Sequence, residues 1–161
     1  MRNMYLIAAL IFVIDQISKY WVVHVIRLPR LPDASLEVYP PYLNLVMAWN
    51  TGINFGLLSG NKESTKWILI AVAILIVGWV AWWMTREQRP LARIAAGLLI
   101  GGALGNVVDR LFYGAVADFP NMSCCGFNNP YSYNVADIAI SVGAFGLILF
   151  TGEKRPRDAA K

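Results

Sequence analysis

One stretch constrains this chain more than any other. Residues 66–84 are apolar for about the width of a bilayer, with no charge between Trp67 and Met84. In hydrocarbon, every backbone N–H and C=O must find its partner inside the protein, so such a run crosses as a helix. A crossing takes about 20 apolar residues. Three further runs, residues 4–26, 91–108 and 135–150, come close to that length. The last two are short, so tilt or flanking anchors must help them. The expectation is an all-α membrane protein with four transmembrane helices, forming a single integral-membrane domain over residues 1–161. Composition agrees: 15% of residues are charged and 57% hydrophobic, against roughly 25% charged in a soluble domain.

The first run is not a typical cleaved leader. Asp15 and Lys19 interrupt it, and no small-residue cleavage pattern follows. Basic residues set the orientation. Arg2 precedes the first helix, Arg86, Arg89 and Arg93 join the second to the third, and Lys154, Arg155, Arg157 and Lys161 follow the fourth. With an even number of crossings these all fall on one side, which the positive-inside bias makes cytoplasmic, together with both termini. The net charge of +4 thus belongs to lipid and orientation, and nucleic acid is not expected as a partner.

The outer side then takes the loops at residues 27–65 and 109–133. The first is apolar and holds extended-chain residues around Pro40 and Pro41, which predicts one or two short strands resting on the bilayer. Asp109 and Asp118 lie near the outer boundary, because the helical rise from Ala92 to Asp109 is about 25 Å. Asp137, in the first turn of the fourth helix, lies near the same boundary. Acids at membrane depth are costly and usually functional.

Two convergent carboxylates can hydrolyse a peptide bond. One, ionised, takes a proton from water; the other, protonated, polarises the carbonyl and then protonates the leaving amine. Close carboxylates share one proton readily. Asp137 also suits plain capping, with Asn134 at the N-cap and an acid in the first turn. Gly97, Gly101 and Gly105 form a smooth stripe on the third helix, as Ala136, Ala139, Gly143 and Gly146 do on the fourth. If these stripes meet, they draw Asp118 and Asp137 together. Asn106 and Arg110 share a face near the outer end of the third helix. Arg110 needs a partner there: Asp109, a backbone carbonyl or a lipid phosphate. Asp15 and Lys19, four apart, read as a mutually neutralising pair. Cys124 and Cys125 are adjacent, a spacing that bridges only with strain, and His24 is the sole histidine. No metal site is expected.

At this point the residues resemble a family, the type II (prolipoprotein) signal peptidases of bacteria. Asp15-Gln-Ile-Ser-Lys19 is similar to its first-helix motif, and Asn50-Thr-Gly-Ile-Asn-Phe-Gly56 to its outer-loop motif. Gly101-Gly-Ala-Leu-Gly-Asn-Val-Val-Asp-Arg110 is similar to its third-helix motif, and Val116-Ala-Asp-Phe119 and Asn134-Val-Ala-Asp137 to its two aspartate motifs. The resemblance implies a four-helix enzyme of the cytoplasmic (inner) membrane with a strand-rich extracytoplasmic cradle in the first outer loop. It implies Asp118 and Asp137 as catalytic dyad, with Asp15, Lys19, Asn50, Gly52, Asn106, Asp109, Arg110 and Asn134 supporting the site or touching substrate. The implied substrate is a prolipoprotein diacylglycerylated on its lipobox cysteine, cleaved just before that cysteine, with no cofactor and with membrane phospholipid around a monomer. Ile53-Asn54 departs from the family's small pair, which puts an amide from Asn54 near the substrate path; Ala117 and Tyr133 are milder departures.

Two other classes compete. A small proton-coupled transporter would use Asp15 and Lys19 as a relay, and predicts polar residues recurring through the second and fourth helices, which are sparse there. A noncatalytic assembly factor held by glycine stripes has no need of Asp118 and Asp137.

Overall fold

The computed structural model describes residues 1–52, 62–124, 126–127 and 129–152. Four α-helices cover the four apolar runs: α1 (Arg2–Tyr20), α2 (Lys62–Arg86), α3 (Pro90–Tyr113) and α4 (Val135–Thr151). A π-helical turn, Trp21–Val25, extends α1. The stretches Arg2–Arg30, Glu63–Arg86 and Pro90–Tyr113 are long and apolar enough to cross a membrane; α4 is apolar but shorter. Large apolar side chains such as Leu6, Leu75 and Ile148 face outward, the inverse of a water-soluble surface.

α3 is the central helix and packs against the other three. The core joins Met4 and Ala8 of α1, Val80 and Met84 of α2, Ala92, Ala96 and Ile100 of α3, and Leu147 of α4. Lipid tails supply no hydrophobic drive between helices, so close approach of small residues does the packing. The α3 stripe serves chiefly α1, and meets the α4 stripe only at its outer end, where Gly105 faces Ala136 as well as Asp15. A Cβ on Gly97 would stand 2.7 Å from the Met4 carbonyl oxygen, and one on Gly101 would collide with that of Ala8. α4 approaches another face of α3: a Cβ on Gly102 would stand 2.5 Å from the Ala136 carbonyl oxygen, and one on Gly143 2.6 Å from that of Ala95.

A three-stranded antiparallel sheet caps one end of the bundle, in the order β1 (Ser35–Tyr39), β2 (Leu43–Asn50), β3 (Val116–Asn121). The first two strands are the expected pair. The third comes from the second loop, so the cradle is not confined to the first. Its sequence carries no alternation to announce it, because β3 is buried on both sides save at Pro120. α3 also runs beyond its expected end at residue 108 and stops at Gly114, whose φ of +75° suits a C-cap glycine. Asp109 and Arg110 are therefore helical rather than in the loop. Ile53, Asn54, Cys125 and the basic residues of the tail lie outside the described residues.

Candidate active site

The polar residues gather where the outer end of α3, the start of α4 and strand β3 meet. Asp118 sits on β3 opposite Ala48 of β2, with only 3% of its surface exposed. Its Oδ1 accepts a hydrogen bond from Asn134 Nδ2 at 2.6 Å. The same Asn134 is the N-cap of α4, its Oδ1 accepting the backbone N–H of Asp137 at 2.8 Å. One amide thus caps the helix that carries one carboxylate and holds the other carboxylate by its donor end.

Capping does not occupy the Asp137 side chain. Its Oδ1 accepts from Asn106 Nδ2 at 2.9 Å. Asn106 is itself oriented by Lys19, whose Nζ donates to its Oδ1 at 3.1 Å, and Asn134 Nδ2 lies 3.4 Å from the same oxygen. With its oxygen committed to donors, the Asn106 amide can offer only N–H to Asp137.

Beneath this layer lies a buried ion cluster. Lys19 Nζ stands 2.8 Å from Asp15 Oδ2 and 2.9 Å from Asp109 Oδ2, all three residues almost fully buried. The expected Asp15–Lys19 pair is therefore part of a triad. Each acid also braces another element: Asp15 accepts the Ala136 N–H of α4 at 2.9 Å, and Asp109 the Ala117 N–H of β3 at 3.1 Å. Gln16 bridges both, donating to Asp109 Oδ1 at 3.1 Å and to Asp15 Oδ2 at 3.2 Å. Gln16 was legible only as an amide inside an apolar helix. Gly105 makes room for the cluster, since a Cβ there would lie 2.5 Å from Asp15 Oδ2.

Asn50 closes the site from β2. Its Oδ1 accepts the Gly52 N–H at 2.9 Å, a side-chain turn that Gly52 permits with a φ of +79°. The Asn50 side chain also favours the charged form of Asp118. Arg110, half-buried, donates weakly to the Asn106 carbonyl at 3.4 Å, the second of its three expected partner types, and feels the charges of Asp137, Asp109 and Asp118. Of the expected residues, all but Asn54 come together here.

The electrostatics follow from burial. Desolvation pushes the Asp118 carboxyl up to about 6, and the charge of Asp137 pushes the same way, against the Asn50 side chain, the hydrogen bond from Asn134 and the Lys19 cation. Two hollows approach the carboxylates. An apolar groove of about 410 Å³ between α2, α3 and α4 ends at Asn106 and Arg110. A cleft of about 330 Å³ along α4 is lined by Tyr133, Asp137 and Ser141. The arrangement sets two acids that feel each other's charge close to an apolar groove.

Comparison with known proteins agrees. The family described as Signal peptidase (SPase) II matches residues 7–152. The chain is 44% identical over 146 residues to the lipoprotein signal peptidase of Caulobacter vibrioides, covering 90% of this chain and 83% of that one. It is 39% identical over 157 residues to that of Sphingopyxis alaskensis, covering 96% and 89%. A bacterial membrane enzyme solved by the in meso method at 1.9 Å resolution superposes with a TM-score of 0.79 at 27% identity, over 96% of each chain. The chain therefore belongs to the signal peptidase II family of bacterial membrane hydrolases, the aspartic-type peptidases that remove signal peptides from prolipoproteins.

Proposed function

We propose that Asp118 and Asp137 are the catalytic dyad of a peptidase that cleaves a diacylglyceryl-modified prolipoprotein just before its lipidated cysteine. The observation that carries the reading is the pair of amides: Asn134 on Asp118 at 2.6 Å and Asn106 on Asp137 at 2.9 Å. These donors hold both carboxyl groups in place at the end of an apolar groove. Asp118, buried and raised to about 6, carries the shared proton and gives it first as a hydrogen bond to the scissile carbonyl. Asp137, half-buried and open to a cleft, takes a proton from the attacking water. The hydroxide adds to the carbonyl carbon. The tetrahedral adduct then collapses, breaking the C–N bond, and the departing amine takes its proton from the dyad.

The groove between α2, α3 and α4 receives the apolar part of the substrate. Arg110 and Asn106 close its polar end; Asp15, Lys19 and Asp109 hold the helices and β3 in register; Asn50 and Gly52 shape the wall. Four crossings, α4 included, with both termini cytoplasmic, put the dyad at the extracytoplasmic face of the inner membrane, where a monomer works surrounded by phospholipid. The transporter reading loses support because Lys19 is tied to Asp15, Asp109 and Asn106 at one end of the bundle.

The test is the cleavage product. Purified protein is given matched precursors with and without the diacylglyceryl group, and the new N-terminus is identified by mass spectrometry. The expected result is a product beginning at the lipidated cysteine and little turnover of the unlipidated precursor. Cleavage elsewhere, or equal turnover of both, contradicts the reading.

A further inference from the structure

Asp137 also opens onto a different face of α4 from the groove that ends at Asn106 and Arg110. The cleft of about 330 Å³ on that face is lined by Tyr133, Asp137, Ile138, Ser141 and Val142, none of which lines the groove. Ser141 is the only polar side chain of α4 between Asp137 and Thr151. A hydroxyl inside an apolar helix usually turns back to a carbonyl one turn earlier, as Thr151 does to Leu147. Ser141 does not. It is exposed, and its hydroxyl has no hydrogen-bond partner among the described residues. The Tyr133 hydroxyl has none there either. Tyr133 is fixed at the outer end of the cleft by its backbone, which donates to the Pro120 carbonyl at 3.1 Å and accepts the Phe119 N–H at 3.0 Å. Ser141 lies one turn inward of Asp137, about 6 Å along the helix axis.

The cleft does not end at Ser141. It shares Ile138 and Val142 with an apolar hollow of about 190 Å³ between α1, α3 and α4. That hollow shares Leu98 and Val142 with a third, of about 250 Å³, which follows the α3–α4 seam to Phe150. A track therefore runs from a mouth with two hydroxyls to a wholly apolar end. From Asp137 to Phe150 the helix rises about 20 Å. One leaflet of hydrocarbon, the depth that a lipid chain fills, is about 15 Å. A peptide helix is too thick for the middle hollow, since one turn with its side chains fills about 400 Å³. A single acyl chain is not. Its ester carbonyl accepts hydrogen bonds but cannot donate them, so at membrane depth it needs a donor such as a hydroxyl.

We propose that this track is the acyl subsite: one chain of the diacylglyceryl group lies along the α3–α4 seam, with Ser141 and Tyr133 donating to the ester carbonyls beside Asp137. The subsite presupposes the reading of Asp118 and Asp137 as the dyad for a lipidated precursor. It leaves the groove between α2, α3 and α4 to the signal peptide.

The test compares two synthetic lipidated precursors, one with ester-linked chains and one with ether-linked chains that lack the carbonyls. The purified full chain should show the lower KM for the ester substrate. Ser141→Ala and Tyr133→Phe should each raise that KM about 2–10-fold, the worth of one hydrogen bond, with the change in KM rather than kcat. The KM for the ether substrate should move far less, and its cleavage reports that each variant is folded. Val142→Phe, where the three hollows meet, should penalise palmitoyl esters more than butyryl esters. Ester and ether substrates weakened alike by Ser141→Ala and Tyr133→Phe would mean that the hydroxyls meet the peptide, and the proposal falls. An unchanged ester KM in both variants, or a Val142→Phe variant indifferent to chain length, overturns it as well. In each of these outcomes wild type still prefers a lipidated to an unlipidated precursor. Loss of that preference contradicts the parent reading instead, and the acyl subsite with it.

Discussion

Asn134 holds Asp118 by its amide N–H at 2.6 Å while its amide oxygen caps the helix that carries Asp137. Helix geometry and carboxylate placement are thus one interaction, and they can be pulled apart. Asn134→Ser keeps a good capping oxygen but loses the amide donor. Capping is kept, so stability should fall by about 1–3 kcal/mol, the cost of leaving the buried Asp118 oxygen without its donor, while cleavage falls by about 10²-fold, on the scale of losing one positioned acid–base group. Thermal unfolding and initial rates of the same preparation check this; a variant that cleaves normally makes Asn134 a cap and nothing more.

Burial lifts Asp118 to about 6 from the usual 3.8, so two pH effects share one sign. The folded chain binds this proton more tightly than the unfolded chain. The associated stability is fully present below 3.8 and is lost as pH rises to about 6. Activity that needs the protonated form should likewise decline on the alkaline side of about 6. Asp118→Asn removes the cost of burying the charge. It should raise stability at neutral pH by on the order of 1–3 kcal/mol while abolishing cleavage. A rate that keeps climbing through neutral pH, or an Asp118→Asn variant less stable than wild type, contradicts this.

Gly105 is needed for room rather than for its backbone conformation. A Cβ there lands 2.5 Å from Asp15 Oδ2, inside the Lys19 triad. Gly105→Ala should cost about 1–3 kcal/mol by overpacking and disturb the support of Ala136 and Ala117. Gly78→Ala on α2 meets nothing within 4 Å and should be neutral. Equal stability of the two variants by thermal unfolding would show that the triad has slack.

Much of this was readable from the chain, because lipid leaves few choices to an apolar run. The four helices, the β1–β2 pair and the gathering of acids at one end follow from span length, extended residues around Pro40 and the position of Asp109 along its helix. Strand β3 was not readable: with both faces buried, Val116 and Ala117 look like any short apolar run. The stripe of Gly97, Gly101 and Gly105 was visible, yet which helix filled it was not, since small residues record closeness without naming the neighbour. Asp137 was ambiguous for a similar reason. An acid three residues after an Asn fits a cap as well as a catalyst, and only the Asn106 amide at 2.9 Å tells where its carboxylate goes.

The central claim is that Asp137 is a reacting group. Its backbone N–H is capped by Asn134 and its neighbour Ala136 by Asp15, so Asp137→Asn should leave α4 intact. The deciding measurement is single-turnover cleavage of a diacylated prolipoprotein by the purified variant, with folding verified by thermal unfolding. The predicted result is a rate lower by at least about 10²-fold, with little further loss when Asp118→Asn is added, since a dyad acts as a unit. A folded Asp137→Asn variant that cleaves near the wild-type rate would contradict the aspartic dyad.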